Sequence, residues 1–161
     1  SLEAAGRQQA MKFDDYLLQY MLRWESRQSE TLLNAEKLNS PFDYVLHIHR
    51  DGETRTQRVD LPETFSYLIG LDVERRMTVL DEDRRYLLYR GVTRDGKRVS
   101  VVWRDTQGWE QADYERDRDF VISNRLADDS DIVFVNGDSM VPGAQSLDGV
   151  FKQRMFASVE E

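Results

Sequence analysis

Residues 59–71, Val-Asp-Leu-Pro-Glu-Thr-Phe-Ser-Tyr-Leu-Ile-Gly-Leu, constrain the fold more than any other stretch. Asp60 and Glu63 stand at capping-box spacing, with Asp in the place of the usual Ser or Thr. Pro62 suits a first helical turn, where its missing N–H costs nothing. Phe65, Leu68 and Ile69 recur at i, i+3, i+4, and Gly70 can take the left-handed stop. A two-turn helix is marginal alone, so its apolar face must dock on something. The spacing predicts that it packs on the strands that follow, with Met77, Leu88 and Trp103 as partners and Asp60 and Glu63 as caps.

Those strands read as a meander over residues 73–80, 85–92 and 98–104. Glu82-Asp83 marks the first turn and Asp95-Gly96, the stronger signal, the second. With two-residue turns, Met77, Val79, Tyr86, Leu88, Val99, Val101 and Trp103 share one face, the expected core. Arg76, Arg85, Tyr89, Arg98 and Arg104 fall on the other. An arginine-rich face holding an aromatic can touch phosphates and stack a base. The alternative is a solvated face, or one paired with the acidic segment that follows.

Before the helix, residues 44–50 and 53–61 form a hairpin about Asp51-Gly52. His47 and His49 share one of its faces. No third ligand at sensible spacing turns them into a metal site, and solvent-facing histidines are the expectation. Residues 9–33 read as a long amphipathic helix with Phe13, Tyr16, Leu17, Tyr20, Met21 and Trp24 in one stripe. It packs on its own sheet, or connects or dimerises, since Leu18 and Leu22 widen the arc. After the meander, residues 107–126 read as a charged helix with Tyr114, Val121 and Ile122 inward. The alternating charges of Asp113, Glu115, Arg116, Asp117, Arg118 and Asp119 read as a solvated face. A strand over 132–135 follows, parallel to its neighbour if both share a sheet. Asn136-Gly137-Asp138-Ser139 is then a turn at the strand's carboxyl end. Ser146 caps a last helix over 147–156 that buries Leu147, Val150, Phe151 and Met155.

The expected fold is α+β: a mixed, mostly antiparallel sheet made of the hairpin, the meander and one later strand. Helices pack on one face, and a long helix precedes them. Residues 1–40 form the N-terminal helix and connector, and 41–161 a single domain.

Composition narrows the function. The chain has no cysteine, so disulfides and thiolate chemistry are excluded, in keeping with a cytoplasmic protein. No apolar run approaches the length that spans a bilayer. The net charge of −8 disfavours nucleic acid as the partner of the whole surface. The charge is uneven, however. Residues 75–104 hold nine bases against four acids, and residues 105–138 hold ten acids against three bases. Glycine-rich phosphate loops and a Gly-x-Ser-x-Gly elbow are both missing. Asp95-Gly96-Lys97 has the Asp-x-Lys form of metal-dependent nucleases, but it sits in a tight turn, which makes a nuclease the remotest reading.

An ordered set of short motifs adds to this. Trp24-Glu25-Ser26-Arg27, Glu30-Thr31-Leu32-Leu33-Asn34 and Ser40-Pro41-Phe42 come first. Asp60-Leu61-Pro62-Glu63-Thr64-Phe65, Tyr67-Leu68-Ile69-Gly70-Leu71 and Tyr89-Arg90-Gly91 follow. Trp103-Arg104-Asp105-Thr106 with Gly108-Trp109, Asn136-Gly137-Asp138-Ser139, Ser146-Leu147-Asp148 and Phe151-Lys152 close the series. Together they resemble the C-terminal region of type III restriction–modification (Mod-like) site-specific adenine DNA methyltransferases. The resemblance runs from about residue 13 to residue 156 and rests on order and spacing. It implies an accessory domain of a longer enzyme that transfers a methyl group from S-adenosylmethionine. That family's Phe-x-Gly-x-Gly and Asp-Pro-Pro-Tyr motifs are missing here, and the three prolines are not adjacent. A flipped adenine needs a stacking and hydrogen-bonding pocket. The resemblance therefore transfers no catalytic, cofactor or metal residue to this chain. The implied partners are the rest of the methyltransferase, a helicase-nuclease restriction subunit, a second copy, and DNA through the parent enzyme. Direct DNA contact through Arg76, Arg85, Tyr89, Arg98 and Arg104 is the alternative.

Overall fold

The computed structural model of the protein describes residues 38–50 and 52–157. The long helix expected over residues 9–33 lies outside them, as do the side chains of His47 and His49. A short 3-10 turn at Pro41–Asp43 leads into the hairpin β1 (Val45–Arg50) and β2 (Glu53–Arg58). Helix α1 (Leu61–Leu68) follows, then β3 (Asp72–Asp81), β4 (Arg84–Val92) and β5 (Arg98–Arg104). Helix α2 (Gln111–Ser123), β6 (Ile132–Val135), a two-residue β7 (Gln145–Ser146) and α3 (Leu147–Ala157) complete the order.

The α+β class stands, with one five-stranded sheet in the order β3-β4-β5-β6-β7. The first three strands are antiparallel, and β5-β6 and β6-β7 are parallel. Contrary to the sequence reading, the hairpin forms a two-stranded sheet of its own. Strand β7, which the sequence does not announce, adds a parallel edge beyond β6.

The main correction is the register of β5. A two-residue turn at Asp95-Gly96 would set Val92 against Val99, but Val92 lies opposite Arg98. The turn is longer, closed by Thr93 N–H to the Lys97 carbonyl at 2.9 Å and Gly96 N–H to the Thr93 carbonyl at 3.0 Å. Gly96 takes φ +81°, the left-handed geometry such a loop needs. A slip of one residue turns every side chain of a strand to the opposite face. Val99, Val101 and Trp103 therefore join Leu87 and Tyr89, and Val102 joins Tyr86 and Leu88.

The sheet is consequently buried on both sides. Helices α1 and α3 cover one face through Leu61, Phe65, Leu147 and Phe151 over Tyr89, Val101, Trp103 and Phe134. Helix α2 covers the other through Val121, with Tyr86, Leu88, Val102 and Val135 beneath it. Helices on one face only is thus overturned, and the reason is the β5 register. Phe65 packs edge-on against Trp103 and Phe134, with centroids 6.1 and 5.5 Å away, and tilted on Phe151 at 5.5 Å. Trp103 is a correct partner for α1. Met77 and Leu88 belong to the opposite cluster. The core also reaches back to Leu38, which is fully buried.

Two backbone details fix β3. Its pairing with β4 is irregular between Val73 and Arg75. There Gly91 lies so close to β3 that an added Cβ would sit 2.1 Å from the Asp72 carbonyl oxygen. Gly91→Ala must push two paired strands apart, since backbone cannot swing aside as a flexible side chain can. Its expected cost is at least the ~1–3 kcal/mol of an overpacked core. Urea unfolding checks this, and an unchanged midpoint would show that β3 shifts freely.

Candidate functional site

The five residues read from sequence as one face do not form one. Arg76, Arg85 and Tyr89 lie on the α1/α3 side of the sheet, and Arg98 and Arg104 on the α2 side. Tyr89 and Arg104 are 4% and 1% exposed and have no surface to offer a phosphate. Arg98 is exposed, and its backbone N–H bonds the Asp131 carboxylate at 2.8 Å. Arg85 is exposed and lies over the Phe42 ring, 4.1 Å from its centroid.

Arg76 and Tyr89 are held by Glu63. The Asp60 carboxylate caps α1 by accepting the Glu63 N–H at 3.1 Å, as the spacing predicts. Glu63 itself turns to the sheet. It accepts Arg76 Nε at 2.7 Å, Arg76 Nη2 at 3.1 Å and the Tyr89 hydroxyl at 2.7 Å. Glu63 is a clamp between α1, β3 and β4 more than a cap. Burial pushes its carboxyl up, but the hydrogen bonds from Arg76 and Tyr89 outweigh that and hold it below the usual value of 4.5. Burial, followed by the Glu63 bond, raises the Tyr89 phenol well above its ordinary value. A carboxylate depressed in the folded state adds stability that is present above its unfolded pKa and lost as pH falls through the folded value. The stability gap between wild type and Glu63→Gln should therefore be widest near neutrality and shrink below about pH 4.5. Denaturant unfolding at several pH values measures it, and a gap independent of pH would refute the clamp.

The sequence reading missed the main polar feature, a hub on the α2 side of the sheet. Arg104 donates Nη1–H to Asp117 Oδ2 at 2.7 Å and Nη2–H to the carbonyls of Asn136 and, at 2.8 Å, Asp138. The other Asp117 oxygen accepts the Tyr86 hydroxyl at 2.7 Å. Asp117 and Asn136 are fully buried. Asn136 Oδ1 accepts the Arg104 N–H at 2.9 Å, and its amide donates to the carbonyls of Leu38 and Arg104, both at 2.8 Å. One asparagine thus ties β5, the end of β6 and the chain entering the domain. Gly137 N–H then bonds Asp148 at 3.0 Å, linking the same loop to α3. Ser146 accepts the Asp148 N–H at 3.3 Å, as its expected capping role requires.

Helix α2 faces inward with unexpected residues. Val121 is buried as expected, but Ile122 is 53% exposed. The inward positions include Asp113, bonded to Arg84, and Asp117. The acidic run is a solvated face only in part, because arginines from β4 and β5 meet its second side. Trp109 lids this region, lying under Arg84 at 4.8 Å and Arg104 at 5.4 Å.

Beside the hub is an open cleft of about 500 Å³ lined by Phe42, Arg84, Arg85, Trp109 and the carboxylates of Asp83 and Asp105. Its aromatic faces already carry arginines, and its charges balance. It holds no nucleophile with an adjacent base. Asp95 sits in the exposed β4–β5 turn, where it accepts the Thr93 hydroxyl. Among the described residues no group of three His, Cys, Asp or Glu is placed to hold a metal, and no helix is long and apolar enough to cross a membrane. Tyr86 and Arg104 of the hub also border this cleft but are almost wholly buried, so the hub fixes geometry and offers a reactant almost no surface. Comparison with protein-family models, with curated proteins and with solved structures finds no match for this chain.

Proposed function

We propose that the chain is a non-catalytic accessory domain of a site-specific adenine-N6 DNA methyltransferase of a restriction–modification system, acting in the cytoplasm through protein contacts. The observation that carries this reading is where the ordered motifs fall. Trp103-Arg104-Asp105-Thr106, Asn136-Gly137-Asp138-Ser139 and Ser146-Leu147-Asp148 are the segments joined by the Arg104, Asn136 and Asp148 hydrogen bonds. Asp60-Leu61-Pro62-Glu63-Thr64-Phe65 and Tyr89-Arg90-Gly91 meet at the Glu63 clamp. A motif set that holds elements together fits a scaffold for chemistry that lies elsewhere. S-adenosylmethionine belongs, in this reading, to the parent enzyme. The partners are the rest of that chain and a helicase-nuclease subunit or a second copy.

The reading frame that encodes residue 1 tests the parentage. It should also encode Phe-x-Gly-x-Gly and Asp-Pro-Pro-Tyr elements upstream, and its product should transfer labelled methyl groups to adenine. A frame without them refutes the reading. Duplex DNA titrated into the 161-residue chain separates the direct DNA alternative. No binding is expected at low salt. Binding that weakens steeply with salt, and falls on Arg76→Ala with Arg85→Ala, would favour DNA contact instead.

A further inference from the structure

The interaction-domain reading leaves open which surface is used, and the inference below rests on that reading. A second groove, also about 500 Å³, runs between the end of α1, the β4–β5 turn and α3. Leu68, Ile69, Ile132 and Val150 form its half-buried floor. Tyr67 stands 45% exposed at its edge. Arg94, Lys97 and Arg154 line it. Asp95 lines it too, accepting the Thr93 hydroxyl and attracted to Lys97, so the lining carries three cations against one carboxylate.

The lining is positive in an acidic chain. Acids outnumber bases 30 to 22, and Arg76, Arg84, Arg104 and Arg116 all pair with carboxylates. Among the described residues, Arg94, Lys97 and Arg154 form no ion pair; the same holds for Arg75, Arg85, Arg90, Arg98 and Lys152, but these three gather at one groove. Three cations against one carboxylate around an apolar floor match a ligand that is apolar on one side and acidic on the other. The half-buried floor is aliphatic and Tyr67 is the one exposed aromatic among its described lining residues, so it offers bases little stacking surface, which favours a polypeptide over nucleic acid. We infer that this groove docks an acidic amphipathic helix of a partner polypeptide, with apolar side chains on Ile69, Ile132 and Val150 and carboxylates against Arg94, Lys97 and Arg154. The cations set orientation and encounter rate, and the floor holds the complex.

The test uses the 161-residue chain and two synthetic amphipathic peptides of about 18 residues. Both carry leucine at i, i+3, i+4, i+7. One has glutamate and the other lysine at the remaining positions. Anisotropy should show the glutamate peptide binding and the lysine peptide not. The triple variant Arg94→Glu, Lys97→Glu, Arg154→Glu should weaken the first by about tenfold or more and acquire the second. Methyl resonances of Ile69 and Ile132 should shift with the glutamate peptide. Equal binding of both peptides, shifts elsewhere, or displacement by duplex DNA overturns the inference. So does movement of the groove methyls when residues 1–37 are removed, or a dimer that the triple variant dissociates. These assign the groove to the chain's own segment or to a second copy. Such failures leave the parentage intact, because methyl transfer by the upstream frame is read independently.

Discussion

Replacing Asp117 by alanine is expected to destabilise the protein by about 3–5 kcal/mol, the range for removing one partner of a buried ion pair. The cost is large because Arg104 is almost wholly cut off from water. Its side chain is 1% exposed and that of Asp117 0%, so the guanidinium would stay charged and lose its counter-ion. Tyr86 would lose its acceptor in the same step. Burial, with the Asp117 bond next, already pushes the Tyr86 phenol far above its ordinary value. Asp117→Asn should lie between the two, since it keeps an acceptor for Tyr86 but drops the charge. Chemical unfolding of the three proteins gives the order. If alanine costs no more than a typical exposed ion pair, about 0–1 kcal/mol, the hub is wet and its burial is wrong.

Phe65→Ala should cost a comparable amount, about 3–5 kcal/mol, as for a buried aromatic whose site collapses poorly. Poor collapse follows from its neighbours. Trp103 and Phe134 are anchored in the sheet, and Phe151 sits in α3, so no flexible side chain is free to fill the gap. The variant should also loosen α3, because α1 and α3 meet through this ring. A melting temperature equal to wild type would make α1 peripheral. The Phe65 and Asp117 clusters lie on opposite faces of the sheet, so the two losses should add within a few tenths of a kcal/mol. A strong coupling between them would show that the sheet transmits strain.

Local chemistry was the legible part of this protein. Asp60, Pro62 and Gly70 bounded α1, and Glu82-Asp83 set β3 against β4 in the register that the structure keeps from Arg75 to Asp81. Ser146 capped α3 as expected. Each of these effects acts within a few residues, so the chain carries it without help from the fold. The Asp95-Gly96 signal was also real, yet it located the turn without giving its length. Loops of two and five residues share the same Gly, and only the pairing of Val92 with Arg98 distinguishes them. That one residue moved Arg98 and Arg104 to the opposite face and removed the continuous arginine surface.

The candidate site followed the same division. An Asn-Gly-Asp after a strand read as a plain turn, and its backbone is one. Nothing local says that Asn136 will be buried against Leu38, residues distant in sequence whose contact depends on the whole sheet. Asp117 sat in an alternating charge run, and a solvated helix has that same pattern. Only the placement of Arg104 beneath α2 decides which of the acids goes inward. Sequence by itself determined most of the described elements, the caps of α1 and α3, the α+β class and the absence of cysteine chemistry, because these depend on neighbours along the chain. Tertiary structure alone decided which side each strand shows, which of the described charges are paired, and which cations gather beside an apolar groove. Those depend on register and on long-range contacts, where a shift of one residue reverses the outcome.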